Sequence, residues 1–279
     1  MIELLYEYSE NGPGKVVKNL KSGLNSIGEK YSENSINIDV NKKIIALQWH
    51  KNISEYGGEN LVIGPNICTI PTDNDFVMNG NYKKLIVPSQ WVADLYSKWI
   101  PSDKIFIWPV GIDTNFFYDR SKKEKEFDCL VYFKRRSIDD LIFVENMLTQ
   151  KNQKFNTITY GNYKESEFLI LLSKSKYVIV IDNCESQGIA IEEIMSCNLP
   201  LFVWDITKWS DRGDGCMCDA TSIPYWSDTC GSVETNKDKI YESFDLFLEK
   251  LAFFHPRDYI LENLMLEKQA KEIINLFNN

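Results

Sequence analysis

No stretch of this 279-residue chain stays apolar for long. The longest runs, such as Tyr177 to Ile181, fall far short of the ~20 residues needed to cross a bilayer, so any membrane contact is expected to be peripheral. Histidine is scarce, with 2 residues, and neither lies near Cys216, Cys218 and Cys230. The one-residue gap between the first two of these cysteines is also tighter than a zinc site's usual spacing, so they read as ordinary loop cysteines and no metal site is expected. The 7 cysteines are odd in number and follow no repeating frame. No charged, apolar and small-residue leader precedes the first strand, and the expectation is reduced thiols in a cytoplasmic protein. Positive charge is in deficit: the formal net charge is -9, with 12 basic against 14 acidic residues up to Arg120 and 19 against 26 beyond it. Nucleic acid is disfavoured as a partner. Internal repeats and low-complexity tracts are absent.

What is present is ample apolar material, 44% of the chain, enough for one large domain or two small ones. Short β-branched and aromatic runs alternate with longer helical patterns, the signature of strand-helix-strand units and parallel sheets, so the fold class is α/β. In the first half, strands are expected near Ile2 to Tyr8, Lys43 to Trp49, Asn60 to Ile63, Lys84 to Val87 and Lys104 to Trp108. Helices are expected near Lys15 to Ile27 and Gln90 to Trp99, the second capped by Ser89. The charged stretch Tyr118 to Glu126 has almost no apolar side chain and reads as a linker between domains 1–117 and 127–255. The pattern then restarts with Phe127 to Phe133, a helix Ile138 to Gln150, Phe155 to Tyr160, a helix through Leu172, and the strand Tyr177 to Ile181. One long helix, 256–279, opens at Pro256 and carries Tyr259, Leu261, Leu264, Leu266, Ile273, Ile274 and Leu276. It is expected to return to the N-terminal domain.

Ligands of open α/β sheets bind beyond the carboxyl ends of strands. After Ile181 the chain runs through Asp182, Asn183, Cys184, Glu185, Ser186 and Gln187 to Gly188 and then into a helix that ends before Pro200. A helix mouth offers unpaired amides and partial positive charge, and a glycine there lets a phosphate approach the backbone. Glu185 before the helix and Glu193 inside it would flank such an anion at different depths, one reaching sugar hydroxyls and the other a ribose. Two solvated glutamates on an ordinary amphipathic helix would show the same spacing.

Glu185, Gly188, Glu193, Met195 and Pro200 fall where the E-x7-E segment of glycosyltransferase family 4 has its glutamates, glycine, methionine and proline, and the chain resembles that family. Gln187 replaces the family's aromatic residue, and Asn198 replaces a later glycine. Other segments match in order: Gly12-Pro13-Gly14 after the first strand resembles the glycine loop, and Ser89 to Val92 followed by Pro109, Gly111 and Asp113 resembles the passage into the linker. The resemblance implies two Rossmann-like domains of the GT-B type facing each other across a cleft, with a shortened N-terminal domain on the acceptor side. It implies that Glu185 contacts the donor sugar, that the amides of Gly188 and Ile189 meet the diphosphate or sugar, and that Glu193 binds the ribose diol.

Three adjacent cations, Lys134, Arg135 and Arg136, follow the strand ending at Phe133 and suit a leaving diphosphate. Arg135 takes the place of the family's arginine, while Asp140 replaces its lysine, so Lys134 or Arg136 would compensate. Tyr160 and Gly161 resemble the loop beside the nucleotide base, Gly14 faces the donor, and His50 occupies the place of a histidine that contacts the donor sugar. By resemblance the expected activity is retaining, metal-independent transfer from a nucleotide-sugar, UDP- or GDP-linked, to a glycan or other hydroxyl acceptor, with His50, Glu185 and Arg135 catalytic. The alternatives are an inactive nucleotide- or sugar-binding module and a metal-dependent transferase using Asp73-Asn74-Asp75 as an Asp-x-Asp.

Overall fold

A computed structural model of the chain describes residues 1–36, 39, 41–50, 53–210 and 217–278. It divides into two compact units, Met1–Asp113 with Leu264–Asn279, and Thr114–Asn263. Cys216 lies outside the described residues.

The first unit holds β1 (Ile2–Leu5), α1 (Gly12–Ser26), β2 (Tyr31–Glu33), β3 (Lys43–Gln48), β4 (Gly58–Asn66), α2 (Asp75–Asn79), β5 (Tyr82–Val87), α3 (Gln90–Tyr96) and β6 (Ile105–Ile107). Its six strands are all parallel, in the order β2-β1-β3-β4-β5-β6. Central strands of such a sheet are covered on both faces, so their sequences read as unbroken apolar runs. Ile44 to Leu47 and Leu61 to Ile63 are accordingly buried throughout.

Strand β1 stops at Leu5, three residues before the expected end at Tyr8. Side chains take over as hydrogen-bond partners there: the Tyr6 amide donates to Asn34 Oδ1 at 3.0 Å and the Glu7 amide to Gln48 Oε1 at 3.1 Å. Gly12-Pro13-Gly14 is the first turn of α1, where a sequence reading expects a loop. Proline is at ease in that turn because its missing N–H would have no intrahelical acceptor. A Cβ on Gly14 would sit 1.8 Å from the carbonyl oxygen of Ser9, so the preceding loop folds directly onto this glycine. Ser89 does occupy the N-cap position of α3, but its buried hydroxyl makes no capping bond.

The expected long C-terminal helix is two helices, α8 (Pro256–Asn263) and α9 (Leu266–Asn275). Extended backbone at Met265 separates them, because Ile112 forms a parallel bridge to Met265 and its amide donates to the Leu264 carbonyl at 2.8 Å. Helix α9 packs on α1 at Gly23, where a Cβ would meet the Leu266 carbonyl oxygen at 2.6 Å. The buried Trp108 indole donates to the Gln269 carbonyl at 2.9 Å and so also holds α9.

The second unit holds β7 (Phe127–Lys134), α4 (Ile138–Gln150), β8 (Phe155–Thr159), α5 (Glu165–Lys174), β9 (Ser175–Asp182), α6 (Ile189–Ser196), β10 (Leu201–Trp204), β11 (Lys208–Ser210), β12 (Met217–Asp219), β13 (Gly231–Glu234), α7 (Ile240–Glu249) and α8. Five parallel strands run in the order β13-β10-β9-β7-β8, and β11 with β12 forms a small antiparallel ribbon. On one face, α4 and α7 cover Val131, Phe133, Ile179 and Phe202 with Val144, Met147, Phe244 and Phe247.

The charged stretch Tyr118 to Glu126 lies along this unit. The Arg120 amide donates to the Cys197 carbonyl, its guanidinium to Ser173 Oγ at 2.7 Å, and the Glu126 amide to the Lys174 carbonyl at 2.9 Å. Arg257 on α8 binds the carbonyls of Thr114 and Phe117 at 3.0 and 2.9 Å, which places residues 114–117 in the second unit as well.

Candidate functional site

Both sheets reverse their winding beside their first strand. In the second unit the chain passes from β7 to β8 on one side and to β9 on the other, so the carboxyl ends of β7 and β9 form the switch point at which open α/β sheets take their ligands. Lys134 ends β7, Asp182 ends β9, and the two are register partners across that point. The sequence thus places a cation and an anion side by side where a doubly wound sheet binds its ligand.

Lys134 is 8% exposed and Asp182 is fully buried. The ammonium of Lys134 lies 3.8 Å from Asp182 Oδ2, contacts Glu185 Oε1 directly, and sits 4.3 Å from the centroid of the Tyr160 ring. Burial pushes Lys134 down to about 8, against the opposing pull of Asp182. Burial also pushes Asp182 up to about 6, with Lys134 pulling it back. The Tyr160 ring is held over this pair because its amide donates to the Phe133 carbonyl at 2.9 Å, continuing the β7–β8 ladder by one residue. Gly161 follows it with a positive φ of 84°, which ends the strand in a turn.

Arg135 and Arg136 part company. Arg135 has a left-handed backbone (φ 51°) and is exposed, its guanidinium 5.8 Å from the Tyr160 centroid. Arg136 donates to Asp140 at 3.0 Å and to the carbonyls of Asp182 and Trp204 at 3.2 and 3.3 Å, with its guanidinium 4.8 Å from the Trp204 ring. Arg136 therefore ties the ends of β7, β9 and β10 together, and Asp140 engages it. Of the two cations that could stand in for the family's lysine, Lys134 is the one beside Glu185.

Gly188 is the N-cap of α6 with φ 87° and ψ 40°. A Cβ there would meet ordinary contacts no nearer than 3.5 Å, so the backbone angle, more than space, calls for glycine. The amides of Ile191 and Glu192 bond back to the Gly188 carbonyl. Helix geometry leaves the N–H groups of Ile189 and Ala190 without an intrahelical acceptor. Glu193 is buried one turn further along, deeper than the partly exposed Glu185.

The two departures from the E-x7-E pattern have local explanations. Gln187 is buried and donates to Glu192 Oε2 at 2.8 Å, and burial holds the Glu192 carboxyl well above the usual range. Asn198 adopts φ 58°, the left-handed position after a helix that glycine usually takes and asparagine tolerates. Its side chain also binds Asp119 Oδ2 at 3.2 Å.

Lys134, Tyr160 and Glu185 are thus brought into contact, with Arg135, Gly161, Gly188, Ile189 and Glu193 on the adjoining loop ends and helix. Gly14 and His50 belong to the first unit. There the sheet reverses between β1 and β3, and the segments leaving those strands carry Gly14 and His50 respectively. The carbonyl of the half-buried His50 accepts from the Ile53 amide at 2.9 Å.

Asp73-Asn74-Asp75 is a helix start. Asn74 Oδ1 accepts from the Val77 amide at 3.1 Å as the cap of α2, and Asp75 Oδ1 accepts from Asn79 at 2.8 Å. Among the described residues no group of three or more His, Cys, Asp or Glu could hold a metal ion, and no helix is long and apolar enough to cross a membrane. Sequence reasoning assigns no role to Asp182 or Trp204, although both sit at strand ends. The signal for Asp182 was present as an acid closing an otherwise apolar strand.

No protein-family model matches the sequence, and no curated protein does either. Solved structures match in fold. A glycosyltransferase involved in avilamycin A biosynthesis, AviGT4, aligns at TM-score 0.60 and 13% identity over 99% of this chain and 96% of its own. The lipopolysaccharide outer core galactosyltransferase WaaB aligns at 0.58 and 11% over 99% of each. A mutant of TarM from S. aureus, in complex with fondaparinux, alpha-GlcNAc-glycerol and UDP, aligns at 0.58 and 15% over 95% of this chain and 59% of that one. The architecture of two Rossmann-like α/β units is therefore that of GT-B proteins.

Proposed function

We propose that the chain is a glycosyltransferase that moves a sugar from a nucleotide-sugar, UDP- or GDP-linked, to a hydroxyl of a glycan or other acceptor. The observation that carries this reading is the Lys134–Glu185 contact at the switch point of the second sheet, beside the glycine-opened mouth of α6. A buried cation with a helix N-terminus next to it is chemistry for a diphosphate, and a carboxylate at the same spot is chemistry for sugar hydroxyls.

In the reaction, charge grows on the departing nucleoside diphosphate as the glycosidic bond breaks. Lys134, Arg135 and the amides of Ile189 and Ala190 are the donors that stabilise it, and they work best where water is excluded. As the diphosphate takes the Lys134 ammonium, Glu185 is released to accept from the hydroxyls of the donor sugar. One ion pair replaces another, so the positive charge is never left buried alone. Glu193 binds the ribose and Tyr160 and Gly161 border the base, while the family resemblance gives His50 a contact with the donor sugar and has Gly14 face the donor. Stabilisation by these side chains makes a divalent metal unnecessary, and same-face attack by the acceptor gives retention. The reading places the enzyme in the cytoplasm, where nucleotide-sugars are available to it.

The test is thermal unfolding with UDP, GDP, ADP and their sugar conjugates, each with magnesium and with chelator, followed by an assay for donor consumption. One nucleotide should raise the midpoint equally in both conditions, since ligand at about 100 times its dissociation constant adds ~2.7 kcal/mol. Absence of any shift, or a shift only with magnesium, would remove the proposed donor site.

A further inference from the structure

Asp205 is a buried carboxylate directly after β10, outside the donor contacts. Its amide donates to the Glu234 carbonyl at 2.9 Å, which extends the β10–β13 ladder by one residue and fixes its backbone to the sheet. Its side chain reaches residues 221 and 222. Oδ2 accepts from the Thr221 hydroxyl at 2.5 Å, and Oδ1 accepts from both the amide and the hydroxyl of Ser222, at 2.6 and 2.7 Å. The Thr221 hydroxyl in turn accepts from the Ile223 amide at 3.0 Å. Three donors thus converge on one carboxylate, and hydrogen bonds to an ionised group are the short, strong kind that hold a segment in place.

Residues 221 and 222 lie against the loop that carries Glu185. The Glu185 amide donates to the Thr221 carbonyl at 3.1 Å, and a Cβ on Gly188 would sit 3.7 Å from the Ser222 carbonyl oxygen. At the start of the same loop the Asn183 amide donates to Asp182 Oδ1 at 2.7 Å. Thr221 therefore faces both ways: its hydroxyl binds Asp205, and its carbonyl holds the backbone of Glu185 midway between β9 and α6. The position of Glu185 is set by Thr221, and that of Thr221 by a carboxylate mounted on the sheet.

We infer that Asp205 is a positioning residue for the donor sugar: through Thr221 it fixes the backbone of Glu185, and so the place at which the Glu185 carboxylate meets the sugar hydroxyls. The inference rests on the donor-site reading given under the proposed function. A binding group discriminates only when its support holds it within about 0.5 Å of the productive geometry, and a carboxylate on a loose loop loses that precision. The nucleoside diphosphate has no sugar for Glu185 to meet. It draws instead on Lys134, Arg135 and the amides of Ile189 and Ala190, so its affinity depends less on Asp205 than that of the nucleotide-sugar.

Two measurements on the full chain test it. In the ligand-free protein, Asp205→Ala should speed hydrogen exchange of the Glu185 amide by at least about tenfold while the amides of β7 and α4 keep their wild-type rates. By calorimetry with UDP, UDP-glucose, GDP and GDP-mannose, the same variant should lower the affinity for the nucleotide-sugar relative to its nucleoside diphosphate roughly tenfold. Asp205→Asn keeps an oxygen for Ser222 and offers an N–H to the Thr221 hydroxyl, so it should fall between wild type and Asp205→Ala. Glu185→Gln should lower the same ratio, and adding Asp205→Ala to it should lower the ratio no further, because both act at one contact. Unchanged exchange at Glu185, additive losses in the double variant, or equal losses for nucleotide-sugar and nucleoside diphosphate would overturn the inference and leave the donor site standing. Failure of the wild type to bind any of the four probes would overturn the donor site itself, and the role of Asp205 with it.

Discussion

Lys134 and Asp182 face each other across neighbouring parallel strands, their charged atoms 3.8 Å apart and both side chains out of water. A pair in that position contributes little net stability, because desolvation offsets its attraction. Its effect is positional. Asp182 holds the ammonium at the sheet edge next to Glu185, where an anionic ligand can claim it.

Lys134→Met should weaken the binding of whichever nucleoside diphosphate stabilises the protein by about 10- to 100-fold, the value of one or two charge-assisted hydrogen bonds. Titration calorimetry measures it. Arg136→Met should act differently: it breaks the ties among β7, β9 and β10 and so lowers the unfolding midpoint before it touches affinity.

The two perturbed groups give opposite pH signatures. Lys134, near 8 in the ligand-free protein, loses its proton as pH rises through that value, so diphosphate affinity should fall above about pH 8. Asp182 is raised from 3.8 to about 6, so between those values the folded protein binds more protons than the unfolded chain. Stability attributable to Asp182 is then lost as pH rises through that window, by a total on the order of 1–3 kcal/mol. Urea unfolding at a series of pH values should show this slope in the wild type and a shallower one in Asp182→Asn.

Gly188 and Gly14 should fail for different reasons when replaced by alanine. At Gly188 there is room for a methyl group but φ is 87°, so the cost is that of a left-handed residue, about 1–2 kcal/mol. At Gly14 the methyl would overlap the Ser9 carbonyl at 1.8 Å, and the whole 6–11 loop must move. Denaturant midpoints will rank Gly14→Ala as the more damaging.

Adjacent glutamates should separate in the same way. Glu192 is fully buried, with its carboxyl pushed up by burial and bonded to Gln187, so Glu192→Gln, which keeps the shape of the side chain, should leave stability at pH 7 within about 1 kcal/mol and nucleotide affinity unchanged. Glu193→Ala should weaken nucleotide binding. Calorimetry showing equal affinity for both variants would refute the ribose contact.

Much of this was legible in the sequence. Helix α4 was readable to its end residues, because Ser137 caps it and its apolar positions repeat at helical spacing. Strands β7 and β9 were readable because central parallel strands are apolar without interruption. What escaped was short or dependent on partners. Strands β2, β10 and β13 have three or four residues each, too few for a period to show. The interruption between α8 and α9 comes from Ile112, more than 150 residues earlier, and no local pattern announces it. Helix α7 could have been found, since Ile240, Phe244 and Phe247 recur at helical intervals. At the site, motif order pointed to Glu185, Gly188 and Arg135 and left Lys134 and Arg136 as alternatives, and only the folded register shows that Lys134 lies opposite Asp182 and that Arg136 is engaged elsewhere.

The first unit is assembled from both ends of the chain, and its last helix, α9, fills the groove at Gly23 and caps Trp108. A ribosome delivers residues 114–263 before it delivers that helix, so the unit begun first is the one completed last. During synthesis the second unit can close on its own while α1 waits with Val16, Leu20 and Leu24 on one side and an unfilled groove on the other. A nascent chain of this design leaves the face of α1 at Gly23 uncovered for as long as it takes to translate an entire neighbouring unit.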